Sequence, residues 1–117
     1  MIWNLLLKLE KEKVMKLDKE KIERCAIFVF YDKDGIVDRY IPVFLNGIKK
    51  VVSRLIIVCN GEVTNNGMKV FRGITDEILT RPNEGYDITA YKYGLEHVSL
   101  DRLSDYDEVL LLNSTMF

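Results

Sequence analysis

The hydrophobic pattern alternates between two periods along the chain. Cys25 to Tyr31 (CAIFVFY) and Leu55 to Cys59 (LIIVC) are almost unbroken apolar runs, too short to be helices. Runs apolar on both faces belong in the middle of a parallel sheet that is covered on both sides. Glu77 to Thr80 and Glu108 to Leu112 predict two further strands. Between the strands the spacing turns helical. Ile41, Phe44, Leu45, Ile48 and Val52 predict a helix with Asp38 as N-cap and Pro42 in its first turn, ending near Ser53. Met68 to Gly73 predicts a short helix. Ile88 to His97 predicts a longer one, in which Ala90 and Gly94 share a face and admit a close approach to the sheet. Upstream, Ile2, Leu5, Leu6 and Leu9, loosely continued by Val14, Leu17 and Ile22, predict an amphipathic helix over residues 2–23.

The order is therefore a leading helix, then strand and helix in alternation. That predicts an α/β fold of three layers, a mostly parallel sheet with helices on both faces. The expected division is an N-terminal amphipathic helix over 1–23 and one α/β domain over 24–117. Right-handed crossovers bring all strand carboxyl ends to one edge, where open α/β sheets bind ligands. Asp32, Asn60, Arg81 and Asn113 are expected to gather there.

Composition narrows the function classes. The 117 residues carry a net charge of −1, with no basic run or nucleic-acid motif, so nucleic acid is not an expected partner. Cys25 and Cys59 are far apart and sit in apolar surroundings, which predicts two buried free thiols in a reducing compartment. His97 is the only histidine. It sits in a last helical turn, where a cation is favoured, and no His-based metal site or Ser-His-Asp triad is available. No apolar run reaches the roughly 20 residues of a membrane span. The expected location is cytoplasmic, with peripheral contact at the inner membrane open to the leading helix. That helix mixes Lys8, Lys11, Lys13 and Lys16 with Glu10 and Glu12. Such a polar face suits packing on its own domain or on a second copy, a homo-oligomer, better than a membrane surface.

The densest candidate chemistry lies in Arg81-Pro-Asn-Glu-Gly-Tyr-Asp87. Pro82 keeps Arg81 extended, Gly85 permits positive φ or a close backbone approach, and Asp87 can cap the helix that follows. A helix N-terminus suits a phosphate, and Arg81 can add a bidentate contact to a diphosphate oxygen. Tyr86, Tyr91 and Tyr93 can stack on a base or sugar, or simply pack. The last strand ends in the small polar groups Asn113, Ser114 and Thr115.

The segments FVFYD, LIIVCNG, ILTRPNEGYDITAYKYGL and LSDYDEVLLLNSTMF resemble the rhamnan synthesis protein F family, bacterial glycosyltransferase-like proteins of polysaccharide and lipopolysaccharide assembly. The resemblance runs from about Arg24 to Phe117. More distantly it is similar to family-2 glycosyltransferases of GT-A fold, whose Rossmann-like N-terminal half binds the sugar nucleotide. It implies sugar transfer from a nucleotide-diphosphate sugar, with deoxythymidine-diphospho-rhamnose (dTDP-rhamnose) favoured, to a glycan acceptor. Tyr31 and Asp32 would then lie near the nucleoside, with Asn60 at the same edge. Arg81, Asn83 and Gly85, with Tyr86 and Asp87 beside them, would flank the ribose and diphosphate. Asn113 and Ser114 would occupy the metal-motif position.

Two departures qualify that expectation. The family reads Asn-Asp-Ser where this chain has Asn113-Ser114-Thr115, so a carboxylate is replaced by a serine. A divalent cation on a diphosphate, Mg²⁺ or Mn²⁺, wants hard anionic oxygens. The second is length: such a domain needs about twice this chain, which implies either a fragment of a longer protein or a shortened relative, and the catalytic base and acceptor site are unassigned. The alternative reading is a non-catalytic scaffold of a polysaccharide-assembly complex that keeps the fold. A flavodoxin-like regulator is a third, lacking a lysine after a later strand.

Overall fold

The structure is a computed structural model that describes residues 22–114. Strand β1 (Arg24–Phe30) is buried along all seven residues, as an unbroken apolar run requires. The chain continues through helix α1 (Tyr40–Lys49), strand β2 (Arg54–Asn60), helix α2 (Asn65–Arg72) and strand β3 (Ile78–Arg81). Helix α3 (Tyr86–Val98), the single turn α4 (Leu100–Leu103) and strand β4 (Glu108–Asn113) complete it. The four strands form one sheet in the order β3-β2-β1-β4, all parallel, with Phe28 level with Ile57 on one side and Leu112 on the other.

Helices cover both faces. On one, Ala26, Phe28, Leu45, Ile57 and Phe71 join α1 and α2 to the sheet, and the Phe30 ring meets Phe71 edge-on at 5.2 Å. On the other, Ile27, Val29, Ile56 and Val58 pack under Ala90 and Val98 of α3. The predicted small-residue face is where α3 meets the sheet. A Cβ on Gly94 would lie 2.7 Å from Ile27 Cγ2 and 3.2 Å from Val58 Cγ2.

Some boundaries differ from the sequence reading. The leading helix predicted over 2–23 lies outside the described residues except for Ile22 and Glu23, which are not helical. Asp38 does not cap α1 through its side chain. Arg39 is the N-cap, without a side-chain bond, and Asp38 gives only its carbonyl, to Ile41 N–H at 3.1 Å. The Asx-type carboxylate that organises this loop is Asp32 instead. α1 also stops at Lys49, because Lys50 and Val51 N–H turn back to the Gly47 and Ile48 carbonyls. α2 begins earlier than predicted, because Thr64 Oγ1 accepts from Gly67 N–H at 3.0 Å and caps it.

The amino ends of the strands carry ion pairs. Arg54 holds Glu77 through both oxygens, at 2.8 and 2.6 Å, and His97 Nε2 reaches Glu77 at 3.2 Å. His97 thus has a structural contact, far from the ligand edge. Arg24 Nε meets the buried Glu108 at 2.7 Å. Both cysteines are buried and free, and burial pushes the Cys25 thiol up to about 11 and the Cys59 thiol to about 12. Among the described residues no helix is long and apolar enough to cross a membrane.

Two outcomes follow. Gly94→Ala forces a methyl group against Ile27 and should destabilise the fold by about 1–3 kcal/mol in chemical denaturation. The Arg54 hydrogen bonds hold the Glu77 carboxyl below the ordinary glutamate range. Its contribution is therefore fully present above that range and is lost as pH falls through the depressed value. Urea midpoints followed into acid should drop there, and the drop should flatten in Glu77→Gln.

Candidate functional site

The carboxyl edge is built from three loops and the end of β4. After β1, the Asp32 carboxylate accepts from Asp34 and Ile36 N–H at 3.0 and 2.9 Å and folds the loop on itself. This loop is fastened to the one after β2. Thr64 N–H donates to the Gly35 carbonyl at 2.9 Å, and a Cβ on Gly35 would stand 2.7 Å from the Glu62 carbonyl oxygen. Gly67 likewise leaves room for Val37, whose methyl would be 2.6 Å from an added Cβ.

After β3, Arg81 folds the third loop inward. Its Nη1 donates to Asn60 Oδ1 at 2.6 Å and to the Glu84 carbonyl at 3.0 Å, and the guanidinium lies 5.8 Å from the centre of the Tyr93 ring. Asn60 is 1% exposed, so this contact is made in a low-dielectric setting. Gly85 and Tyr86 then take positive φ values of 74° and 60° in succession. For tyrosine that backbone costs on the order of 1–2 kcal/mol. It leaves the ring 89% exposed at the N-terminus of α3.

At the end of β4, Asn113 Nδ2 donates to Asp87 Oδ2 at 2.8 Å. Asp87 is therefore inside α3, tied to β4, and not the helix cap that its position suggests; the N-cap is Gly85. Burial pushes the Tyr91 hydroxyl up, a hydrogen bond with Asn113 pulls it down, and the Asp87 charge raises it. Ser114 is 7% exposed and turned inward, with Oγ 3.3 Å from Tyr31 N–H and 3.4 Å from the Tyr31 carbonyl. Tyr40 OH donates to the Ser114 carbonyl at 3.2 Å.

A cavity of about 470 Å³ opens here, lined by Tyr31, Asn83, Tyr86, Asp87, Ile88, Asn113 and Ser114. Six of these seven are residues that the sequence singled out. The others do not line it: Arg81 is bonded to the buried Asn60, the Asp32 carboxylate accepts from its own loop, and Gly85 shapes the backbone beneath Tyr86. Ile88 was not assigned. Ile88 is 77% exposed, and nothing in a helical spacing marks such a residue as part of a pocket. A cavity of about 500 Å³ lies at the opposite edge, among Arg54, Arg72 and Glu77. It sits at the amino ends of the strands, beside the carboxyl ends of α1 and α2.

The donor set does not fit a divalent cation. The Ser114 hydroxyl is turned to the Tyr31 backbone, and the nearby Asp87 oxygen is taken by an amide. Among the described residues no three His, Cys, Asp or Glu side chains come together around a metal position.

The chain is an all-parallel α/β domain with a cavity at the carboxyl edge of its sheet, the edge where open α/β sheets bind ligands. The family model for rhamnan synthesis protein F matches residues 55–117, just over half of the chain, and the chain belongs to this family. The match spans β2 through β4, with Asn60, Arg81–Asp87 and Asn113–Ser114; β1 with Tyr31 and Asp32 lies before it. Membership supports a role in rhamnan and polysaccharide synthesis. No curated protein and no solved structure matches the chain.

Asn60→Ala should leave the Arg81 guanidinium without its buried acceptor. The expected cost is about 1–3 kcal/mol, with faster amide exchange over residues 83–86. Unchanged exchange there would show that the Asn60–Arg81 contact does not hold the loop.

Proposed function

We propose that this chain is the donor-binding part of a glycosyltransferase of bacterial cell-surface polysaccharide or lipopolysaccharide synthesis, with the Rossmann-like half of a GT-A fold. The ligand is a nucleotide-diphosphate sugar, dTDP-rhamnose in first place, and the acceptor is a glycan. One observation carries the reading: six residues chosen for this chemistry surround one cavity, beside the N-terminus of a 13-residue helix. The expected location is cytoplasmic, at the inner face of the membrane where such glycans grow.

In this reading the base or sugar ring lies against Tyr31 and Tyr86, and Asn83 offers an amide to the ribose. The diphosphate sits over the first turn of α3, whose unpaired N–H groups and partial positive charge favour an anion. Arg81 acts one step back, by holding the Pro82–Gly85 turn, rather than on the phosphate. An acceptor hydroxyl attacks the anomeric carbon, the bond to the diphosphate breaks, and the helix N-terminus stabilises the leaving charge. No step is routed through a metal ion.

The inward-turned Ser114 favours one second reading, a scaffold that keeps the fold without transfer. Calorimetric titration with dTDP, UDP and GDP separates the two. A working donor site binds one nucleotide equally well with Mg²⁺, with Mn²⁺ and with a chelator. Tyr86→Ala should weaken that binding by about 1–3 kcal/mol, the scale of aromatic stacking on a base. It should leave thermal stability nearly unchanged, because the ring is 89% exposed. A folded chain that binds none of the three belongs to the scaffold reading.

A further inference from the structure

The α1–α2 face of the sheet is covered unevenly. α1 connects β1 to β2 and α2 connects β2 to β3, so right-handed crossovers lay them over the β1–β2–β3 side. The connection into β4 runs through α3, on the opposite face. Connectivity thus gives no described helix to the β1–β4 pair on the first face, although Leu110 and Leu112 belong to that core.

The flank toward β4 of α1 and of the turn that ends it is apolar. Tyr40, Phe44, Gly47 and Val51 recur at steps of four, three and four. Both ends of this flank are tied to β4. Tyr40 OH bonds to Ser114 at the upper end. At the lower end Arg24 bridges the Val51 carbonyl, at 3.1 Å, and Glu108. Val51 is 50% exposed, Val43 on the rim is 74% exposed, and a Cβ on Gly47 would meet nothing within 4 Å. At the foot of the groove, the Glu108 side chain is 2% exposed and its Oε2 has no hydrogen-bond partner.

We propose that residues 2–17 of this same chain dock along this groove as an amphipathic helix and complete the layer. The chain joins the described fold at its foot, where Glu23 N–H bonds to Asp107 at 2.8 Å just before β4. The length suffices: the seven residues of β1 rise about 23 Å, which about 15 helical residues match, and 21 residues precede Ile22. Leu5, Leu6 and Leu9 then lie toward Tyr40, with Val14 and Leu17 toward Val51. Gly47 admits a close helix approach, and Lys16 and Lys19 fall near the orphaned Glu108 oxygen. The mixed Lys and Glu positions of the segment suit its own domain better than an anionic surface.

The test is paramagnetic relaxation in the full chain. A nitroxide is placed on Asn46→Cys, on the exposed side of α1 within label range of the groove; Cys25 and Cys59 are buried. The amides of residues 2–17 should lose most of their intensity in the tagged, isotope-labelled chain and show slowed exchange. They should keep full intensity when labelled untagged chain is mixed with unlabelled tagged chain. Combining Leu6→Asp with Leu9→Asp should abolish the broadening. Broadening in the mixed sample would assign the groove to a second copy. Sharp, unprotected amides that gain protection only on anionic vesicles would assign the segment to a membrane surface. Either result, or sharp amides throughout, overturns the proposal.

Discussion

β1 offers water no side chain: seven consecutive residues are buried, and residues on a strand point alternately to two faces. Neither face of the sheet can therefore be left open. That constraint calls for helices on both sides, and crossover connections then make neighbouring strands parallel. The glycine at position 94 answers the same demand locally. It lets α3 settle against Ile27 and Val58 of the two innermost strands. Because all four strands point the same way, the polar residues that end them share one edge.

That edge has two halves of different character. In one, Asn60, Arg81, Glu84 and Tyr93 satisfy each other and fix the turn after β3. In the other, Tyr31, Tyr86, Asp87 and Asn113 face a cavity with polar groups and half-open aromatic rings. The first half is stiff because its charged member is held by a buried amide. The second is where a ligand could exchange with water, and its most exposed ring sits on a strained backbone. Strain next to a cavity fits a residue held in place for contact rather than for packing.

Much of this was legible in the residues. Both apolar runs became central strands, and Ala90 and Gly94 became the contact face of α3. The residues picked after β1, β3 and β4 came together because topology alone fixes which strand ends share an edge. What stayed hidden depended on side-chain direction. Asp38 and Asp87 both stand where a cap is expected, yet neither caps, because Asp32 and Gly85 shape those turns. Arg81 reads as a phosphate ligand, and no sequence pattern shows that its Nη1 also holds Asn60, 2.6 Å away. Ser114 stands where the family has a carboxylate, and the sequence does not show that its hydroxyl turns to the Tyr31 backbone.

The fastening of the first loop to the second has a consequence for how this surface can vary. Gly35 and Gly67 leave no room for even a methyl group, and Thr64 joins the two turns through a backbone bond. A change of length in either loop would have to be matched by the other, so this side of the carboxyl edge can alter only in concert. The backbone of the Pro82–Ile88 wall is held by Arg81 and by Asp87, but the Tyr86 and Ile88 side chains on it are exposed and bear on no neighbouring loop. Within this architecture, substitutions are accommodated most readily on the Pro82–Ile88 wall, one side chain at a time.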